Sequence, residues 1–194
     1  MRIPVGYWYW DVEEGEPFPA PNTDDADATS PLFYLKRSLM WMNELGLKAL
    51  IDLHAGPGSQ NGYDNSGRRG EAHWVDDTYP ENRSATFQSS VSLSTDQSYC
   101  RANLERTVRI NDKISQTMRG WVDAGVMSVD TLYGIGLLNE PHICGYQSAG
   151  LLLEACIGDF YPLGYQAVRQ YFTPEEAAVV IDVAALPLDV FNGR

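Results

Sequence analysis

The residues of this sequence that are best placed to do chemistry are Asn139 and Glu140, which directly follow a short apolar run at 132–138. An apolar run of this length predicts a strand that is buried on both faces. In parallel α/β proteins the catalytic groups collect where such strands end, so this carboxylate could act as a general acid or base. Pro141 would stop the strand pairing and begin a loop. The simpler interpretation is a strand that ends in an ordinary solvated glutamate.

A second stretch, residues 52–67, combines small turn-forming residues with side chains that could bind a polar ligand. It reads Asp-Leu-His-Ala-Gly-Pro-Gly-Ser-Gln-Asn-Gly-Tyr-Asp-Asn-Ser-Gly. Its small residues allow a tight backbone at the end of a predicted strand, which leaves the polar side chains to line a pocket. The candidates are His54, Gln60, Asn61, Asp64 and Asn65, with Tyr63 as an aromatic wall. The alternative is a hydrogen-bonded turn cluster with one structural histidine.

Composition and charge narrow the class of partner. The 194 residues are 44% hydrophobic and 11% aromatic, which is typical of a globular protein. The formal net charge of -12 argues against a nucleic-acid partner and against an anionic membrane surface, because both need a basic face. We expect a neutral ligand. Sugars fit, because their C–H faces stack on aromatic rings while carboxylates and amides bond their hydroxyls.

Strands and helices alternate along the chain. We predict strands at 3–10, 47–53, 132–138 and 179–183, and helices at 32–45, 100–122 and 151–171. The second helix would carry its Arg and Lys side chains on an outer face, and Gly158 with Pro162 would break the third. The long loops follow strands, with a polar excursion at 76–98. This order predicts parallel pairing in a (β/α) barrel or a doubly wound sheet.

Several other kinds of site find no support in the sequence. No Gly-x-Gly-x-x-Gly turn or P-loop follows a strand, which argues against a nucleotide-binding sheet. No run of about 18 apolar residues predicts a membrane span, and no secretory signal is visible. Cys100, Cys144 and Cys156 match no zinc pattern; we interpret them as buried free thiols, with a Cys144–Cys156 disulfide left open. We expect neither a metal nor a cofactor.

Together, the two stretches and the opening Arg2-Ile-Pro-Val-Gly-Tyr-Trp resemble glycoside hydrolase family 5, and within it the exo-β-1,3-glucanase branch. That branch opens with Arg-Ile-Pro-Ile-Gly-Tyr-Trp, and its loop reads Asp-Leu-His-Gly-Ala-Pro-Gly-Ser-Gln-Asn-Gly-Phe-Asp-Asn-Ser-Gly. The likeness covers most of the chain and weakens between 72 and 131 and after 142. It implies an extracellular or cell-wall-associated enzyme with a (β/α)8 barrel. Such an enzyme cleaves β-1,3-glucan with retention of configuration, releases glucose and needs no cofactor.

The resemblance assigns a role to each candidate residue. Glu140 would be the general acid/base, and Asn139 would hold the sugar 2-hydroxyl. Arg2 would support the nucleophilic carboxylate electrostatically. The sugar hydroxyls would be bound by His54, Asn61, Asp64 and Asn65, and Tyr63 would stack on the sugar at the mouth of the pocket, where the branch often has Phe.

Two departures from the branch pattern matter for function. Ala55-Gly56 reverses the usual Gly-Ala order. In the branch pattern the four predicted strands correspond to strands two to five of the barrel, so we expect residues 1–194 to be a partial catalytic domain, truncated at both ends, without the nucleophilic glutamate. Asp52 does not replace it, because it lies within a predicted strand. We expect this chain alone to be inactive; the alternatives are a β-1,4-glucanase or another family 5 β-glucosidase, and a non-catalytic carbohydrate-binding relative.

Overall fold

The computed structural model describes residues 1–75, 102–142 and 154–183 of the chain. Within them, four parallel strands form a sheet that is flanked by helices. The strands are β1 (Arg2–Gly6), β2 (Ala49–Ala55), β3 (Leu132–Gly136) and β4 (Ala178–Val180). The helices are α1 (Pro31–Glu44), α2 (Ala102–Asp123) and α3 (Tyr161–Arg169), and a π-helix at Glu154–Phe160 leads directly into α3.

The strands pair in chain order, β1–β2–β3–β4, and every pairing is parallel. Arg2 lies opposite Leu50, and Gly134 lies opposite Ala178. This order arises when each crossover helix returns the chain to the next position along the sheet. The predicted parallel α/β class is confirmed. The carboxyl ends of the strands therefore share one edge of the sheet, and the loops that follow them meet there.

The core lies between the sheet and the apolar faces of the helices. β2 is at its centre, with Ile51 and Leu53 both fully buried. The face of α1 that the periodicity predicted is buried as well, and Leu39 on it is 0% exposed. This helix begins cleanly because Oγ of Ser30 accepts a hydrogen bond from the N–H of Leu32 at 3.1 Å.

The prediction of a first strand that runs from residue 3 to residue 10 was wrong at its end. β1 stops at Gly6, and Tyr7–Tyr9 form a 3-10 turn. The register with β2 shifts between Val5 and Gly6, and the ring of Trp8 occupies the space that a Cβ on Gly6 would fill. The chain turns after Gly6, and the ring of Trp8 packs against that glycine. The aromatic residues Tyr7–Tyr9, whose side chains favour a strand, therefore lie beside the end of β1 instead of extending it.

The other elements differ from their predicted bounds by a few residues. β2 begins and ends two residues later than predicted, so His54 lies inside the strand. β3 ends at Gly136, although the next two leucines remain buried, and β4 covers only 178–180. The predicted break near Pro162 coincides with the change from π-helix to α3. The predicted excursion at 76–98 lies outside the described residues.

The expectation that α2 would carry its basic side chains outward was wrong for Arg106, which is 3% exposed. Its guanidinium contacts Asp11 at 3.2 Å, Glu13 at 3.2 Å and Glu16 at 2.9 Å. A buried cation needs such partners because it has lost its hydration. These ion pairs attach residues 11–16, the acidic loop that follows the 3-10 turn, to helix α2.

Cys156 is a buried free thiol, so the Cys144–Cys156 disulfide that the sequence left open is not formed here. Cys100 and Cys144 lie outside the described residues. Among the helices that the structure describes, none combines the length and the apolar character needed to cross a bilayer.

Candidate active site

Asn139 and Glu140 lie just beyond the end of β3. The backbone N–H of Asn139 donates to the carbonyl of Leu53 at 2.8 Å, so the pair lies beside the carboxyl end of β2. Asn139 is 1% exposed, whereas Glu140 is partly open to solvent. Oε2 of Glu140 accepts a hydrogen bond from Nδ2 of Asn65 at 2.9 Å. A carboxylate held in this way can exchange a proton with a ligand.

A row of hydrogen bonds connects Asn139 to His54 through two charged residues. Nη2 of Arg2 donates to Oδ1 of Asn139 and, at 3.0 Å, to Oδ1 of Asp52. Oδ2 of Asp52 accepts from Nδ1 of His54 at 2.7 Å. The Asp52 side chain is 5% exposed, and a carboxylate so buried needs partners of this kind. The row links β1, β2 and the tip of β3 across the sheet.

The contact with Asp52 decides which nitrogen of His54 can face a ligand. A carboxylate only accepts, so Nδ1 carries the proton in this pair and Nε2 is left for a ligand. The side chain of His54 is 27% exposed. His54 can therefore bond a hydroxyl group while it is held from behind by Asp52.

The contact with Arg2 likewise decides the orientation of the Asn139 amide. With Oδ1 directed at the guanidinium, Nδ2 is the donor that remains. Nδ2 is buried and has no hydrogen-bond partner among the described residues. A buried donor without a partner costs about 1–3 kcal/mol. A ligand oxygen that reaches this atom by displacing the groups that cover it would recover part of that cost.

Side-chain amides attach the loop after β2 to the tip of β3. Nε2 of Gln60 donates to the carbonyl of Asn139 at 2.8 Å, and Nδ2 of Asn61 donates to the carbonyl of Glu140 at 3.1 Å. Gln60 is 0% exposed and Asn61 is 2% exposed. Because these amides are buried, the loop and the strand tip are joined by bonds that water does not compete for.

A cleft of about 230 Å³ opens between the end of β1 and this loop. Trp8 and Tyr9 line it from the 3-10 turn, and His54, Asp64 and Asn65 line it from the β2 side. Burial raises the pKa of Tyr9, so its hydroxyl stays protonated and can donate a hydrogen bond. A cleft with two aromatic rings and several polar side chains suits a neutral ligand rich in hydroxyl groups.

Tyr63 lies against His142, with ring centroids 5.8 Å apart and an angle of 52° between the rings. Tyr63 is 42% exposed, so a ligand could reach part of its side chain. Asp64, the next residue, is exposed and begins the 3-10 turn Asp64–Ser66. Both residues therefore lie at the surface, whereas Asn61 lies within the structure.

Two residues hold the predicted site together in a way that the sequence did not predict: Asp52 was not among the candidates, and Gln60 was expected to line the pocket but is buried with its amide on backbone groups. Asp52 joins Arg2 to His54, and Gln60 joins the loop to Asn139. The sequence contains a signal for the first, because an aspartate inside an apolar strand must find partners when it is buried. No comparable signal predicted the contact between Gln60 and the tip of β3, because the carbonyl of Asn139 lies 79 positions further along the sequence. Among the described residues, no group of His, Cys, Asp or Glu side chains could hold a metal ion.

The sheet is parallel and carries a carboxylate and an amide at the carboxyl end of one strand, which is the edge where the active sites of parallel α/β proteins form. The fold is similar to that of rutinosidase from Aspergillus niger, with a TM-score of 0.62 over 99% of this chain and 45% of that chain. The sequences are 16% identical in this comparison, so the likeness concerns the fold alone.

Sequence comparison relates the chain to particular enzymes. It is 33% identical over 99% of its length to a glucan 1,3-beta-glucosidase from Pichia angusta, and 31% identical over its whole length to a probable glucan 1,3-beta-glucosidase A from Aspergillus fumigatus. The predicted relationship to the glucan 1,3-β-glucosidases is confirmed. The chain spans about a third of these relatives, 34% and 35% of their lengths. No protein-family model matches it.

Proposed function

We propose that this chain carries the acid/base side of a retaining β-1,3-glucosidase site, built on strands two to five of a (β/α)8 barrel. The observation that carries the proposal is the position of Glu140 at the β3 tip with Asn139 beside it, because glycosidases need a carboxylic acid that protonates the leaving oxygen. The names of the relatives supply the substrate class, a β-1,3-linked glucan. As a member of that class, the enzyme would act outside the cell or at the cell wall.

In the proposed reaction Glu140 acts twice. It first protonates the glycosidic oxygen, and it then removes a proton from the water that releases the sugar. Asn65 occupies Oε2, which leaves Oε1 for both transfers. The Nδ2 donor of Asn139 meets the sugar 2-hydroxyl, a contact that strengthens as the oxocarbenium-like transition state forms.

The sugar that is released would lie in the cleft beside β1. Trp8, whose ring is stacked on Phe18 with centroids 4.0 Å apart, borders the sugar from the side of β1, and His54 offers Nε2 to a hydroxyl group. Asp64 and Asn65 face the same space from the loop. Tyr63, with its exposed ring, would stack on the next sugar unit.

A retaining mechanism also needs a second carboxylate, about 5–5.5 Å from the first. Asp52 is unsuited to this role, because its two oxygens are occupied by Arg2 and His54 and its side chain is buried. In the family pattern the nucleophile stands on a later barrel strand that is not among the four described, so we propose that Arg2 would support a carboxylate supplied from there. The chain by itself would then bind the glucan without hydrolysing it.

The first experiment measures binding by the chain itself. In a ¹⁵N NMR titration, laminaritriose should shift the signals of His54, Asn65, Asn139 and Glu140, whereas cellotriose should shift them less. Asn139→Ala should weaken laminaritriose binding, and Gln116→Ala, an exposed change on α2, should not. Larger shifts with cellotriose than with laminaritriose would favour a β-1,4-glucanase, and the absence of any response would contradict the proposal.

The second experiment measures turnover in a hybrid in which this chain replaces the matching third of the Pichia angusta relative. The hybrid should release glucose from laminarin faster than from carboxymethylcellulose, and Glu140→Gln should lower that rate by a factor of about 10²–10⁴. The Gln116→Ala hybrid serves as the control. A folded hybrid that binds laminarin but releases no glucose would identify a non-catalytic carbohydrate-binding relative.

A further inference from the structure

Two consecutive side chains of the loop after β2 hold two consecutive backbone carbonyls at the tip of β3. Gln60 donates to the carbonyl of Asn139 at 2.8 Å, and Asn61 donates to the carbonyl of Glu140 at 3.1 Å. The loop residues lie 79 positions before their partners in the sequence. The pairing runs parallel along the two segments, although neither segment is a strand at this point.

Gln60 uses its whole amide in protein contacts. Its two N–H groups donate to the carbonyls of His54, at 2.9 Å, and Asn139, and its Oε1 accepts from the N–H of Gly56 at 3.0 Å. The side chain is 0% exposed. A primary amide has two N–H donors, and both are occupied. Gln60 is therefore placed to hold backbone rather than to contact a ligand.

Asn61 has the same character. Its Nδ2 donates to the carbonyl of Glu140 and, at 3.2 Å, to Oδ1 of Asn65, and its Oδ1 accepts from the N–H of Tyr63 at 2.9 Å. Both of its donors are occupied, and the residue is 2% exposed. Asn61 also reaches the side chain of Asn65, which in turn holds Oε2 of Glu140. Asn61 thus contacts the backbone of Glu140 directly and its carboxylate through Asn65.

The backbone of Glu140 has a conformation that needs such support. Its φ is +43°, in the left-handed region that residues other than glycine seldom occupy. Conformations of this kind persist where the surroundings hold them. Pro141 has no N–H to donate. The next backbone hydrogen bond along the chain is from the N–H of His142 to the carbonyl of Gln60, at 3.4 Å. Because φ sets the direction of the Cα–Cβ bond, it sets where the carboxylate lies.

We propose that Gln60 and Asn61 are positioning residues that hold Glu140 in its left-handed conformation and so aim its carboxylate. The functional part of this proposal rests on the acid/base role of Glu140 given above. It replaces the expectation that Asn61 bonds sugar hydroxyls: Asn61 acts on the sugar only through Glu140 and Asn65.

The test uses Asn61→Asp and Gln60→Glu, which keep the size of each side chain and replace the donor with an oxygen that repels the carbonyl. Gln116→Glu, exposed on α2, adds the same charge without these contacts. A residue with positive φ gives a strong nuclear Overhauser effect between its own amide and Hα protons. This signal should be strong at Glu140 in the unaltered chain and in Gln116→Glu, and should fall at least about twofold in the two test variants. An unchanged signal in both test variants overturns the proposal.

Laminaritriose binding separates positioning from direct contact. Asn61→Ala, which adds no charge, should reduce the Glu140 signal while raising the Kd by no more than about threefold. A Kd raised by about tenfold or more, with the Glu140 signal intact, would show that Asn61 contacts the sugar and would overturn the proposal. If the unaltered chain binds no trisaccharide, the proposed function fails, but the Glu140 signal still decides whether these amides hold its backbone. Asn61→Ala also replaces Asn61→Asp if that variant does not fold.

Discussion

The carboxylate of Asp52 accepts a 2.7 Å hydrogen bond from the imidazole of His54, two residues further along the same strand. Side chains at positions i and i+2 of a strand project from the same face, so this contact follows directly from the geometry of β2. The other oxygen of Asp52 takes the guanidinium of Arg2 from the neighbouring strand. One buried carboxylate thus orients a ligand-facing imidazole and an arginine that also contacts Asn139.

Asp52→Asn should therefore weaken both the fold and the site. An amide cannot offer two accepting oxygens, so one of Arg2 and His54 loses its partner. We expect the free energy of unfolding to fall by about 1–3 kcal/mol, and laminaritriose affinity to fall with it. Urea denaturation at pH 7 measures the first effect. The control is Asp123→Asn, in an exposed pair with Arg119, which should cost less than about 0.5 kcal/mol. An equal fall in the free energy of unfolding in both variants would show that the buried contacts of Asp52 stabilise the fold no more than the ion pair of Asp123 with Arg119 does.

The acidic loop should make stability depend on pH through Asp11. Burial alone would raise the pKa of Asp11, but the hydrogen bonds and charges of Lys113 and Arg106 outweigh it and hold the pKa below its usual 3.8. A lowered pKa in the folded state stabilises the protein above pH 3.8 and loses that contribution as the pH falls through the lowered value. Asp11→Asn should therefore be less stable than the unaltered chain at pH 6, and the difference should shrink below about pH 4.

Urea denaturation from pH 6 to pH 2.5 tests this expectation. Lys113→Met removes a group that lowers the pKa of Asp11. In this variant the acid loss of stability should begin at a higher pH. A difference between Asp11→Asn and the unaltered chain that stays constant over the whole range would show that the ionisation of Asp11 is not linked to folding.

Gly134→Ala and Gly120→Ala make the same chemical change, but we expect the first to lower the stability of the fold and the second to raise it. A Cβ on Gly134 would lie 3.0 Å from Cβ of Ala178 and closer still to its carbonyl oxygen, so β3 and β4 would have to separate. We expect a loss of about 1–3 kcal/mol from this overpacking. Gly120 lies within α2 with no described atom within 4 Å of such a Cβ, and the change to alanine should stabilise the helix by about 1 kcal/mol. Thermal melts of both variants decide whether the signs differ.

Cys156 should resist alkylation while the chain is folded. It is 0% exposed, and burial raises its pKa to about 12. At pH 8 the thiol would stay protonated, and thiolate is the form that reacts. Iodoacetamide treatment followed by mass spectrometry of the peptide that contains Cys156 should show labelling in 6 M urea and little without it. Rapid labelling of the native chain would mean that the π-helix at Glu154–Phe160 opens readily.

Local patterns predicted the elements well where packing follows from periodicity. The apolar spacing of α1 identified its buried face, and the apolar run before Asn139 identified β3. The same approach failed for the first strand, because β-favouring aromatic residues continue through Tyr7–Tyr9, where the chain turns over Gly6. It also failed for Arg106, whose burial depends on three carboxylates from a loop about 90 residues earlier.

The sequence by itself determined which residues stand at the strand ends, because strand periodicity and turn-forming residues act over short distances. That was enough to select Glu140, Asn139 and the 54–67 loop. Only the tertiary structure decided how they are joined: Asp52 between Arg2 and His54, and Gln60 and Asn61 on the carbonyls of Asn139 and Glu140. Hydrogen bonds between segments 79 positions apart leave no periodic trace in the sequence, because they depend on where the sheet brings its strand ends together.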